Sequence, residues 1–181
     1  MPRTISITKE NLIDASIELL KREGAAALTA RKLAHEAGCS TQPIFRAYQN
    51  MDELYKDVYL KSAEIFSDHC AAFAGSSSVP FVNLGLAYID FAQKNKEMFR
   101  LLFLSAERYG KSLVELLNGN TGFLKNQIAA ANESGCSDPQ GLFMKMWMLI
   151  HGSACMCLTD DYDLDTDATR KLLEEAEQVF A

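Results

Sequence analysis

Asp161, Asp163 and Asp165 stand two residues apart, at the spacing of the first three ligands of a calcium loop. The sixth position is Thr166, where such a loop needs glycine, and the twelfth is Leu172, where it needs a bidentate glutamate. The acidic stretch 159–167 therefore reads as a solvated connection between helices. Cys155 and Cys157, with His151 one turn earlier, offer soft-metal or redox chemistry. In a helix His151 and Cys155 share a face while Cys157 points elsewhere, so small buried thiols are the expectation. Enzymatic chemistry finds less support. There are three histidines, His35, His69 and His151, and no nucleophile elbow, glycine-rich phosphate loop or HExxH. His151 lies in an apolar segment, where a core histidine with satisfied hydrogen bonds is the default. No catalytic residue, metal or cofactor is expected.

A second group of residues suits a polyanion. Arg31 can pair with guanine O6 and N7 or hold a phosphate. Gln42 can bond adenine, Thr41 a base or a phosphate, and Pro43 can pack on a thymine methyl. Arg46 follows one turn later. By type alone these residues also fit an ordinary polar helix start and a solvated arginine.

The elements that must position them are helical. Thr8 can cap a first helix whose Leu12, Ile13, Ser16, Ile17 and Leu20 recur at intervals of three and four, with Gly24 closing it. Thr29 can cap a short second helix with Leu33, Ala34 and Ala37 on its apolar side, ended by Gly38. Ser40 is the expected cap of a third, which places Pro43 in the first turn, where its missing N–H costs nothing. Helix, glycine turn, helix is helix-turn-helix geometry. Ile44 and Tyr48 are expected to anchor the third helix to Ile13, Ile17 and Leu33. Further helices are predicted over 51–74, 81–93, 97–104, 111–132, 140–158 and 168–180, with breaks at 74–80 and 134–139. The fold class is all-α, with no repeat and no low-complexity tract.

Composition agrees. The chain has 181 residues, nearly half of them apolar, and a net charge of -6. Residues 1–50 carry seven Lys/Arg against five Asp/Glu, a mildly basic head on an acidic body. Five cysteines without a CxxC pair fit a reduced interior. No apolar run approaches 18 residues, so a cytoplasmic protein without a membrane segment is expected.

The stretch ALTARKLAHEAGCSTQPIFRAYQNMDEL, residues 27–54, resembles the DNA-binding domain of the tetracycline-repressor (TetR) family. Leu28-Thr29 opens the second helix, Leu33-Ala34 packs it and Gly38 closes it. Ser40, Phe45, Tyr48 and Asp52-Glu53-Leu54 follow at the family's places. Trp147 to Gly152 is similar to a Trp…His-Gly pattern of some ligand domains in the family. There are departures: Phe45 stands where a tyrosine hydroxyl usually meets phosphate, Ala47 replaces a frequent histidine, and Met51 replaces a phosphate-gripping lysine.

The resemblance implies a helix-turn-helix head over residues 1–50 and a helical ligand-binding and dimerisation domain over 51–181. It implies a sequence-specific transcriptional regulator, a homodimeric repressor on a pseudo-palindromic double-stranded DNA operator, released by a small-molecule effector. Thr29, Arg31, Ser40, Thr41, Gln42, Pro43, Phe45 and Arg46 are the expected DNA-binding residues. Tyr88, Phe91, Phe103, Met144, Trp147, Met148 and His151 are candidates for an effector pocket, whose ligand would be apolar or aromatic because few cations lie in those helices. The last two helices are the expected dimer contact. The alternative is a helical ligand- or partner-binding module with weakened or lost DNA binding, motivated by Phe45, Ala47 and Met51.

Overall fold

The computed structural model describes residues 7–75 and 77–181; Ser76, in the expected break at 74–80, lies outside the described residues. Its helices are α1 (Lys9–Glu23), α2 (Ala30–Glu36), α3 (Gln42–Ala47), α4 (Met51–Ala72), α5 (Val82–Lys94), α6 (Lys96–Phe99), α7 (Leu113–Asn118), α8 (Phe123–Glu133), α9 (Pro139–Cys157) and α10 (Thr166–Phe180). A 3-10 turn, Ala25–Ala27, joins α1 to α2, and a π-helical turn, Arg100–Leu104, continues α6. No strand occurs among the described residues. None of their helices is long and apolar enough to cross a membrane.

The chain divides into two compact units. One runs up to Ala63 and takes in Glu97–Gly110; the other holds Glu64–Lys96 and Lys111–Ala181. The first unit thus reaches past residue 50. Leu54, Val58 and Tyr59, on the first half of α4, are fully buried. So are Met98, Phe99 and Leu102 on the returning segment. The rings of Tyr59 and Tyr109 lie 5.4 Å apart, which ties that segment to α4 within the unit.

In the second unit α5 packs against both α9 and α10. Its residues are apolar nearly all round, the pattern of a fully enclosed helix: Leu84, Ala87, Tyr88, Phe91 and Ala92 have no exposure. Gly85 sets how closely the helices approach. A Cβ there would come within 2.7 Å of Leu173 Cδ1 and 2.9 Å of Ile150 Cγ1, and both of those residues are themselves wholly buried. Phe81 enters α5 at φ 65, a left-handed conformation rare for a large side chain. Its amide donates to Gln127 Oε1 at 2.7 Å, and its ring is buried beside Phe143.

Two helix assignments differ from expectation. Residues 111–132 form two helices, not one. Gly119 and Gly122 take φ 49 and 68, and the Ser67 hydroxyl on α4 accepts from the Asn120 amide at 3.0 Å. A Cβ on Gly119 would collide with that hydroxyl, so the break is held by a tertiary contact. Ser40 does not cap α3; Thr41 takes the cap position, with no side-chain bond from it. Proline supplies the reason. With Ser40 as cap, the third helical residue, whose amide the cap oxygen would accept, is Pro43, which has none.

Candidate nucleic-acid interface

The first unit is built to present α2 and α3. Thr8 and Asn11 form a reciprocal capping box at the start of α1. Leu12, Ser16, Ile17, Leu19 and Leu20 bury its inner face. At the start of α2 the Thr29 hydroxyl accepts from the Lys32 amide at 3.3 Å, which leaves its proton available to an outside acceptor. Leu33 and Ala34 face inward, while Arg31 is exposed.

α2 ends in a Schellman-type turn, with Cys39 N–H donating to Ala34 O at 2.9 Å and Gly38 N–H to His35 O at 3.2 Å. Gly38 has φ 64, and nothing lies within 4 Å of where a Cβ would stand. Backbone conformation alone therefore demands glycine there. α3 follows at once. Ile44 and Tyr48 are buried, while Thr41, Gln42, Phe45 and Arg46 are exposed. Ser40 is exposed and Pro43 half-buried.

Charge on this unit is partitioned. Arg22 grips the Glu36 carboxylate with both terminal nitrogens, at 3.2 and 2.6 Å, and so clamps α1 to α2. Lys32 meets Glu23 at 2.7 Å. The Arg22 hydrogen bond holds Glu36 below the usual carboxylate range, and Lys32, then Arg22, does the same for Glu23. Both acids stay ionised at neutral pH and occupy those two cations. Among the described residues, Arg31 and Arg46 make no such pair. Lys9 meets Asp57 at 2.6 Å and lies 4.7 Å above the Tyr48 ring. Burial, then the Asp57 carboxylate, pushes the Tyr48 phenol up.

Sequence reasoning missed three of the struts behind this face. Tyr55 Oη donates to Leu28 O at 2.7 Å, which fixes the chain just before Thr29. Asn50 Oδ1 accepts from Glu53 N–H at 3.0 Å, and Glu53 accepts from Gln49 N–H at 2.9 Å, which closes the start of α4. The Arg22–Glu36 clamp joins residues fourteen apart. Of the three, the Asn50–Glu53 spacing was the only signal readable as a local motif.

Tyr88 Oη lies 2.9 Å from His151 Nδ1, the Tyr88 and Trp147 rings meet at 4.8 Å, and Trp147 stacks on His151 at 5.4 Å. Phe91 is buried beside Phe66. Met144 and Met148 are exposed on α9, and Phe103 belongs to the first unit. His151 Nε2 lies 3.7 Å from Cys155 Sγ, but burial raises the thiols of Cys155 and Cys157, which disfavours the thiolate that metal binding requires. Asp165 caps α10 through the Ala168 amide, and Asp161 accepts from Thr159 Oγ1. No metal-holding cluster occurs among the described residues.

Comparison with known proteins agrees with this architecture. Residues 12–58 match the family model "Bacterial regulatory proteins, tetR family". Residues 81–179 match "Tetracyclin repressor-like, C-terminal domain". The chain is 23% identical over 143 residues to the "Probable acrEF/envCD operon repressor" of Escherichia coli (strain K12), an overlap of 71% of this chain and 64% of that protein. The chain thus spans less than two thirds of that curated relative. A TetR transcription regulator from Haloarcula marismortui ATCC 43049 superposes with a TM-score of 0.66 at 19% identity, covering 94% of this chain and 96% of that one. A TetR-like transcriptional regulator from Rhodococcus sp. RHA1 gives 0.62 at 15% identity, over 98% and 96%.

The turn between α2 and α3 is directly testable. Gly38→Ala should cost about 1–2 kcal/mol, the penalty of a left-handed conformation for a residue with a Cβ. Gly38→Asn, which visits that region more readily, should cost less. Urea unfolding of the two variants measures the difference, and equal stability of Gly38→Ala and wild type would show that the turn relaxes.

Proposed function

This chain belongs to the TetR family of bacterial regulatory proteins, and we propose from that premise that it is a sequence-specific DNA-binding repressor. It acts as a homodimer on a pseudo-palindromic operator, is released by a small apolar or aromatic effector, works in the cytoplasm and catalyses no reaction. The partition of cations on the head carries the reading. Arg22 and Lys32 are spent on glutamates that orient α2, while Arg31 and Arg46 are left exposed beside Thr29, Ser40, Thr41, Gln42 and Pro43. A face with unpaired guanidiniums beside hydroxyl and amide groups suits phosphates and base edges. One such head touches few bases, so two joined heads on two half-sites supply affinity and spacing.

The dimer reading draws on α9 and α10. Met144, Met148, Gly152 and Met156 are exposed along α9, and Val179 on α10 is 81% exposed. Such a run of methionines costs free energy in water and fits an equivalent face of a second copy. The effector reading draws on Tyr88, Phe91, Trp147 and His151, an aromatic group with one polar pair, Tyr88–His151.

Three measurements bear on these statements. Arg31→Ala and Arg46→Ala should each weaken binding to the selected operator by about 1–3 kcal/mol, with thermal stability unchanged because both side chains are exposed. Unaltered affinity in both would sink the assignment, and wild-type binding no tighter than to random duplex would favour a module without DNA recognition. Met148→Glu should convert the dimer to a helical monomer in sedimentation velocity; a persistent dimer would place the interface elsewhere. Trp147 is the only tryptophan, so its emission should shift when a flat apolar compound binds, and the same compound should release the operator. Release by charged metabolites alone, with Trp147 silent, would overturn the effector class.

A further inference from the structure

We infer that the second unit carries a binding cleft for a small primary ammonium ligand, with the Glu177 carboxylate as its anchor. This goes beyond the function proposed above and does not rest on it. The cleft shares no lining residue with the aromatic group of Tyr88, Phe91, Trp147 and His151. Its volume is about 480 Å³, within the range of small-molecule sites. It lies where the connection before α5, the connection between α8 and α9 and the end of α10 come together. The first supplies Ser78, Val79 and Pro80, the second Ser134 and Ser137, and α10 supplies Glu177.

Glu177 is the residue out of place. It stands four after the wholly buried Leu173, on the inward stripe of α10, and is half-buried there. Among the described residues its carboxylate has no ion pair and no side-chain hydrogen bond. Glu174, in the turn before, shows the contrast: it accepts from Ser77 Oγ at 2.7 Å and meets Arg170 at 3.7 Å. Burial alone pushes the Glu177 carboxyl up, with no cation to offset it. A half-buried carboxylate without a partner costs free energy, and an ammonium group in the cleft would remove that cost. The serines narrow the cation. Ser134 already donates its proton to Ala131 O at 2.8 Å, so its oxygen has only lone pairs left to offer. Such an acceptor suits a cation that carries N–H donors. A quaternary ammonium has none, and an anion would meet Glu177 with like charge. Val79 and Pro80 offer apolar cover to the body of the ligand.

The test uses the intact chain, with 2-phenylethylamine as the probe and 2-phenylethanol as its uncharged counterpart of similar shape. Cys136 is half-buried and lines the cleft. Its alkylation by iodoacetamide, followed peptide by peptide in mass spectra, therefore reports occupancy. The amine should slow alkylation of Cys136 in a saturable manner and leave that of Cys39, in the first unit, unchanged. The alcohol should need a roughly tenfold higher concentration, the worth of one charge-assisted hydrogen bond. Glu177→Gln, almost the same in shape, should reduce protection by the amine to the level of the alcohol. Its urea midpoint should be no lower than that of the wild type, because an unpaired carboxylate contributes no stability. Equal protection by amine and alcohol, or no protection by either, would overturn the inference on the wild type alone. Protection unchanged in Glu177→Gln would remove the anchor. A loss of stability in that variant would mean that the carboxylate already has a partner, and would overturn the inference as well. Protection of Cys155, beside His151, in place of Cys136 would put the amine among the aromatic residues and leave this cleft without a ligand.

Discussion

A six-residue helix cannot hold its own shape in water, because the first hydrogen-bonded turn costs more order than so few bonds repay. α3 is such a helix, and half of its residues, Gln42, Phe45 and Arg46, are exposed. Its geometry is therefore borrowed from the burial of Ile44 and Tyr48. Everything around it serves that anchorage. Gly38 reverses the chain without strain, Lys9 lies over the Tyr48 ring and is held there by Asp57, and the Asn50 cap starts α4 immediately beyond. The same two buried residues decide which side chains look out. Displacing either would turn Gln42, Phe45 and Arg46 together.

The proposed meeting of an acidic protein with a polyanion is a smaller paradox than the net charge of -6 suggests. Field strength at an interface depends on which charges remain uncompensated nearby, within about a Debye length of 8–10 Å. On the first unit the carboxylates of Glu23 and Glu36 lie against Arg22 and Lys32. Such exposed pairs contribute little to stability. Their value lies in direction: they orient α2 and keep the acids off the two arginines that stay free. Much of the remaining negative charge sits elsewhere, as in the connection before α10, where Asp161 and Asp165 are engaged in local turn and cap bonds.

Local rules carried most of the fold. Thr8, Gly24, Thr29 and Gly38 were readable as caps and stops because each acts on a backbone group within a few residues, and all four stand where that chemistry puts them. The errors came from contacts distant in sequence. The break between α7 and α8 depends on Ser67, more than fifty residues away, and a scan for periodicity passes over it. The Ser40 cap failed for a local reason that was legible: Pro43 removes the amide that such a cap would accept. The outward arc of α3 was legible from Ile44 and Tyr48, but the Arg22–Glu36 clamp behind α2 was not, since an ion pair between two helices leaves no trace in either one. Met144 and Met148 show the limit of residue type as a guide. Residue type says nothing of which way a methionine on a helix points, and only the rotation of α9 leaves these two exposed.

The division of the first unit into two pieces of chain has a consequence for biosynthesis. Met98, Phe99 and Leu102 belong to that unit's buried set but are made well after Ala63. At about 5–20 residues per second, several seconds pass between emergence of α4 and emergence of Gly110. During that wait the nascent head carries Leu54, Val58 and Tyr59 without the later segment that completes their surroundings. The first unit is therefore finished late on the ribosome, after the Glu64–Lys96 piece of the second unit has been made, and a fragment ending near residue 63 would lack part of its own interior.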